Sequence, residues 1–315
     1  KMHMRPTTLL RISVIAMGVL NLMPWAGPTM RAATVLGIEA GSLWQTILPI
    51  QACGIVLALA VAVLNGIIEQ KRGAGLNGKL AQEATHLNSV EEAAAEAESA
   101  NNELARPKLF VFNIILTIAV IALLIKDIFP SYVPFMIGVA IAILVNYPGA
   151  KMQKKIINLH SGPALMMCST LMGAAVLMGI LVKDIEGVNS VITCMSNLIS
   201  SILPAALGQH LPLVIGILSV PLALAFDTDS YFYGMLPVMI GIGEGFGVGA
   251  MPIAVAMVVC RNCATFISPM VPATLLGVGL ADVDIKDHIK FSFLWVWGFS
   301  IICMLIGAIV GIIPL

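Results

Sequence analysis

Charge is scarce in this chain. Asp, Glu, Lys and Arg together make up 11% of its 315 residues, where a soluble domain carries about a quarter. That excludes an ordinary soluble globule. The 17 basic and 17 acidic residues cancel, so the polyanion-binding surface of a nucleic-acid partner is excluded too. Cysteine is sparse: Cys53, Cys168, Cys194, Cys260, Cys263 and Cys303 all fall in apolar segments. Only Cys260 and Cys263 are close, and a redox motif needs a soluble strand–helix context; these read as buried thiols. The apolar spans show no His/Glu metal-ligand spacing and no Ser/His/Asp arrangement, so an enzyme is not expected.

What remains is apolar. Hydrophobic residues make up 59% and the mean hydropathy is +0.97. The chain reads as an all-α polytopic membrane protein whose main partner is the lipid bilayer. With about 20 apolar residues per crossing, spans are expected at 7–36, 43–68, 109–126, 128–147, 161–182, 248–280 and 289–313. The hydrophilic, Glu-rich stretch 69–108 suits a solvated linker. It divides the chain into 1–68, the linker 69–108, and 109–315. Residues 188–208 carry Asn189, Thr193, Ser196, Asn197 and Ser200 opposite Ile192, Met195, Ile199 and Ile202. That is an amphipathic helix, lying on the membrane interface or lining a cavity. Residues 211–243 read as two short arms around Asp227-Thr228-Asp229-Ser230, a re-entrant hairpin. Lys1, Arg5 and Arg11, the linker's basic flanks, and Lys151, Lys154 and Lys155 in a tight loop all fit the cytoplasmic side of a plasma membrane.

Two spans are broken in the same way. Asn21-Leu22-Met23-Pro24-Trp25-Ala26-Gly27-Pro28-Thr29 and Phe266-Ile267-Ser268-Pro269-Met270-Val271-Pro272-Ala273-Thr274 each hold two prolines and end on Thr. Proline removes a donor and clashes with the preceding turn. Freed backbone is tolerated at membrane depth only against protein or a wet cavity. A matched pair of broken spans points to an inverted-repeat secondary transporter and to its binding site. If the two repeats are equal, about 130–140 residues, including a first hairpin, are expected ahead of Lys1.

The site candidates follow. Asp227 and Asp229 flank Thr228 at a tip between re-entrant arms, and a carboxylate at membrane depth is costly. They carry protons or meet a divalent cation; alternatively the tip is a turn whose Asp229 or Thr228 caps the second arm. Ser230 belongs to the same tip. Asn21, Pro24 and Thr29 at the first break, with Ser268, Pro269 and Thr274 at the second, present carbonyls, hydroxyls and half-helix ends to a ligand. Alternatively the hydroxyls only satisfy carbonyls freed by proline. Arg261 and Asn262 lie deep in an apolar run, and Arg261 meets a substrate carboxylate or pairs with Asp227 or Asp229. Glu244 reads as a hinge in a Gly-rich run. Trp25, Trp44, Trp295 and Trp297 read mostly as interfacial belt residues. Asp282 to His288 reads as an ordinary charged loop.

On three segments, Asn21 to Thr29, Asp227 to Pro237 and Ser268 to Thr274, the chain resembles the citrate–divalent metal:proton symporter family of the ion-transporter superfamily. The stretch from Gly279 to Trp297 fits as well. The resemblance implies import of citrate, or a related carboxylate anion, as a divalent-metal complex with protons. It implies a homodimer with elevator-like movement. It puts the substrate against Asp227 to Ser230, Ser268 to Thr274 and Asn21 to Thr29. No resident cofactor and no dedicated metal site are implied: Mg or Ca travels with the substrate, against Asp227 and Asp229. The more acidic tip, with Asp where superfamily tips usually carry Asn, favours a metal-bound form. A gluconate-type organic-anion symporter is the nearest rival, and an ion channel or structural membrane subunit the rival of another class.

Overall fold

The computed structural model describes residues 4–74, 106–126, 129–130, 132–183 and 189–314. Most of the expected linker, residues 75–105, lies outside them. So do Asp184 and Glu186. The protein is all-α: no strand occurs among the described residues. It is a multi-pass membrane protein, with four helical stretches long and apolar enough to cross a bilayer among the described residues. The chain divides into two compact units, 1–4 with 66–167, and 5–65 with 168–315.

The first unit holds α4 (Phe110–Lys126) and α5 (Tyr132–Asn146). Asn113 and Asn146 exchange two side-chain hydrogen bonds of 2.8 Å. Arg106 Nε donates to the Asn146 carbonyl at 3.0 Å and its guanidinium stacks 4.9 Å over Tyr147. Only 6% of the span Pro107–Leu124 is buried. Its exposed Phe110, Val111 and Ile115 suit hydrocarbon, where helical backbone satisfies itself.

The basic residues expected in a tight loop lie elsewhere. Lys151, Lys154 and Lys155 occupy the first turns of a 33-residue helix, α6 (Ala150–Val182). The turn is made earlier, at Gly149, whose φ of 111° suits only glycine.

The second unit is built around α11 (Ala250–Ala264), whose residues from Ile253 to Ala264 are all buried. A helix apolar on every side belongs inside. Around it pack α1 (Pro6–Leu20), α2 (Gly27–Leu36), α9 (Leu211–Ala225), α10 (Leu236–Gly245) and α13 (Ile285–Ile309). The 32-residue α3 (Ala40–Lys71) begins in this unit. The prolines punctuate it. α1 stops at Leu20, and α2 restarts at Gly27 with Pro28 in its first turn, where a missing N–H costs nothing. α11 stops at Ala264, a short 3-10 turn covers Thr265–Ile267, and α12 (Pro272–Leu280) starts on proline.

Other details differ from the sequence reading. Of the cysteines read as buried thiols, Cys260, Cys263 and Cys303 are buried but Cys53, Cys168 and Cys194 are exposed. The helix expected over 188–208 is two, α7 (Val191–Ile202) and α8 (Ala205–Gln209). Pro204 forces the preceding Leu203 into extended backbone, ψ 127°. Trp44 is no belt residue: it is buried and donates to Gln51 Oε1 at 2.8 Å. The charged stretch 282–288 is only partly a loop. Asp284 caps α13 by accepting from the Lys286 N–H at 2.9 Å, and His288 is buried inside that helix.

Candidate functional site

Two breaks and a hairpin tip converge in the second unit. The first contact is between the broken spans. Asn21, at the end of α1, donates from Nδ2 to Asn262 Oδ1 at 2.8 Å. Asn262 returns a bond from its Nδ2 to the Asn21 carbonyl at 3.1 Å. An amide pair satisfies both donor and acceptor at a place where apolar side chains leave broken backbone unpaired. Gly18 makes the approach possible. A Cβ there would stand 3.0 Å from the Asn262 carbonyl oxygen and 3.1 Å from the Cys263 Cα.

Past the end of α11, hydroxyls take up freed carbonyls. Thr265 Oγ1 donates to the Arg261 carbonyl at 3.2 Å, and Thr274 Oγ1 reaches back to the Thr265 carbonyl at 3.3 Å. Ser268 is fully buried and accepts from the Met270 N–H at 3.3 Å, which turns the chain around Pro269. The Thr265 and Thr274 hydroxyls thus take up carbonyls, and the Ser268 hydroxyl takes up an N–H. Thr29 differs. It is fully buried, and its Oγ1 meets no partner among the described residues.

The tip follows α9. Asp227 accepts from the Asp229 N–H at 3.0 Å and from the Ser230 N–H at 3.3 Å. It therefore caps the π-helical stretch Ser230–Met235 that leads into α10. Tyr231 points inward, its hydroxyl 2.6 Å from Ser219 Oγ. Thr228 is half-buried in the same turn. Asp229 is committed differently: it accepts from Nε of Arg31, on α2.

Among the described residues, Arg261 forms no salt bridge with Asp227 or Asp229, one of the two readings left open for it. It donates to the Phe226 carbonyl at 3.3 Å and to Thr265 Oγ1 at 3.4 Å, and stands 5.7 Å over the Tyr231 ring. Its Nε is buried with no partner among the described residues. It ties the end of α11 to the mouth of the tip. Arg31 was overlooked by the sequence reading, although a cation inside the apolar run 7–36 is itself a signal. Nothing in the chain order connects it to Asp229, 198 positions away.

Asp229 and Ser230 open onto a cavity of about 660 Å³, with Phe226, Tyr233, Met195 and Ile199 among its other walls. A second cavity, of about 430 Å³, is lined by Ser190, Thr193, Ser196 and Asn197 of α7 and its cap, opposite Glu244. Of the two placements open for the amphipathic helix, the polar face lines a cavity. Ser196 Oγ also donates to the Val238 carbonyl at 3.3 Å. Among the described residues no group of three or more His, Cys, Asp or Glu side chains is placed to hold a metal ion.

The chain is 33% identical to the citrate transporter of Bacillus subtilis over 313 residues, 99% of this chain and 69% of that protein. It is 36% identical to the Mg(2+)/citrate complex secondary transporter of the same organism over 309 residues, 97% of this chain and 68% of that one. No family model matches the chain. No solved structure matches it.

Proposed function

We propose, for a chain that belongs to the citrate–divalent metal:proton symporter family, that it carries citrate across the plasma membrane as a divalent-metal complex together with protons. The observation that carries this reading is that the first proline break reaches the helix ahead of the second through the part-buried pair Asn21–Asn262, and the acidic tip through the part-buried pair Arg31–Asp229. A secondary transporter of broken helices holds its substrate at such a meeting point. The likeness to two relatives named for citrate, one for its Mg(2+) complex, supplies the substrate class.

The roles divide by chemistry. The divalent ion enters as cargo, bound through citrate oxygens and the tip carboxylates, since Mg²⁺ prefers few protein ligands and keeps other oxygens. Asp227 and Asp229 are the carboxylates assigned to proton coupling. Thr228 and Ser230 at the tip, Asn21, Pro24 and Thr29 at the first break, and Ser268, Pro269 and Thr274 at the second form the walls. Two such chains work as a homodimer, with the tip and breaks moving as an elevator, and the stretch 69–108 faces the cytoplasm.

The test is uptake of labelled citrate by cells expressing the protein. Adding Mg²⁺ in excess of citrate is expected to raise the rate, and chelation to lower it. Uptake indifferent to the metal, or competed fully by gluconate, overturns the reading in favour of another organic anion. A current that does not saturate with substrate overturns it in favour of a channel.

A further inference from the structure

Arg31 and Asp229 form an ion pair far apart in sequence. It joins the half-helix after the first break to the hairpin tip. Both side chains stay within reach of a ligand: 16% of the Arg31 side chain and 39% of the Asp229 side chain are exposed. The pair is also incomplete. A single guanidinium nitrogen, Nε, meets a single carboxylate oxygen, Oδ1. Among the described residues no acceptor meets Nη1 or Nη2 of Arg31, and no donor meets the other oxygen of Asp229. A guanidinium is built to grip a carboxylate through two nitrogens, so this one keeps a grip in reserve.

Its position adds to the demand for an anion. The guanidinium folds back over the start of its own helix. Nη1 lies 2.4 Å from where a Cβ at Gly27 would stand, so the guanidinium rests close against that glycine. The first turn of α2 contains no acidic residue, and the amino end of a helix is itself positive. A cation laid on that end is doubly short of negative charge, and one oxygen of Asp229 answers only part of it. Two buried hydroxyls flank the pair without partners among the described residues: Thr29 Oγ1, two residues before Arg31, and Tyr233 OH, four residues after Asp229 on the same tip. Tyr233 and Asp229 line the same 660 Å³ cavity. Buried hydroxyls left unpaired are costly and suit a polar guest.

We infer that the Arg31–Asp229 ion pair is an internal stand-in for the substrate, which a metal–carboxylate complex replaces charge for charge. A carboxylate of the substrate takes the free edge of Arg31, and the divalent cation takes the released carboxylate of Asp229. The site then admits a ligand carrying both signs side by side, and an anion without metal leaves Asp229 facing it uncompensated. The empty pair keeps both charges satisfied between cycles. Specificity for the complex over the free anion thus resides in one residue of each sign, from the two repeats. The inference rests on the transport reading above.

The test uses purified protein in detergent and follows its thermal unfolding midpoint with three additions: citrate with chelator, MgCl2 alone, and Mg²⁺ with citrate. Wild type is expected to respond at lower concentration to the complex than to citrate. Asp229→Asn is expected to lose that preference, with the two ligands half-saturating at the same concentration. Arg31→Gln is expected to raise the half-saturating concentration of both citrate-containing additions at least about tenfold, and Arg31→Lys by less, since the charge stays and the fork is lost. Asp229→Glu, which keeps the charge should the Asn protein unfold, is expected to keep the preference. Equal shifts for citrate and complex in every variant make the pair a structural latch and overturn the inference alone. So do wild-type curves from Arg31→Gln or Asp229→Asn. A wild type that answers neither citrate nor its complex overturns the transport reading itself.

Discussion

Single residues decide how closely the broken spans approach. Gly18 has backbone, not a movable side chain, where its Cβ would go, at 3.0 and 3.1 Å. Gly18→Val therefore has to push α1 off α11, and the Asn21–Asn262 pair parts with it. The expected loss is about 1–3 kcal/mol of stability, read as a lowered unfolding midpoint with citrate uptake falling in parallel; a midpoint equal to wild type contradicts the close approach. Elsewhere in α1, Arg11 is buried and bonded to Asn65, with its guanidinium 4.5 Å from the Phe291 ring and 4.4 Å from the Trp295 ring. A cation flanked by aromatic faces is retained in an apolar setting by the ring quadrupoles. At this scale the sequence was informative about kinds of residue and silent about partners. Asn21, Asp229 and Arg261 stood out because polar groups are expensive in lipid. The pairings did not: Asn262, itself a candidate, is 241 positions from Asn21, and Arg31, which was passed over, is 198 from Asp229. Periodicity carries no information over such distances.

Elements were more legible, because prolines act locally. Pro24, Pro28, Pro269 and Pro272 all lie where helices stop or restart, for the same reason at each: no donor and a fixed φ. Pro204 acts in the same way between α7 and α8, but an otherwise regular polar stripe concealed it. The start of α6 was hidden too, since three lysines are a poor fit to the positive amino end of a helix and only Gly149 marked the bend. What a break costs is offset by hydroxyls. Thr274 Oγ1 returns to the Thr265 carbonyl, nine residues back, tying α12 to the end of α11. Thr274→Val keeps the shape and removes that donor. It is expected to destabilise by about 1 kcal/mol, lowering the unfolding midpoint, whereas Thr274→Ser, which retains the hydroxyl, is expected to fall by less. Equal losses in the two variants leave packing, not the hydrogen bond, as the tie.

At the scale of the whole molecule, membrane class and family were readable from hydropathy and from three short segments. Coupling is a different matter, because it is a property of a cycle. A carrier whose empty state is closed by its own ion pair cannot reorient at random with the charges separated. Opening the tip without substrate strands Arg31 and Asp229 in a low-dielectric surrounding, where unpaired charge is costly. In the proposed cycle, substrate binding removes that penalty. In the proton-coupled cycle proposed above, the gradient drives accumulation, and exchange of labelled for unlabelled citrate needs no gradient. In cells or vesicles a protonophore is accordingly expected to abolish net accumulation of citrate while leaving exchange largely intact. Asp229→Asn is expected to remove the accumulating, protonophore-sensitive part of wild-type uptake. Accumulation that survives the protonophore in wild type, or that Asp229→Asn retains in full, places the driving force outside the tip.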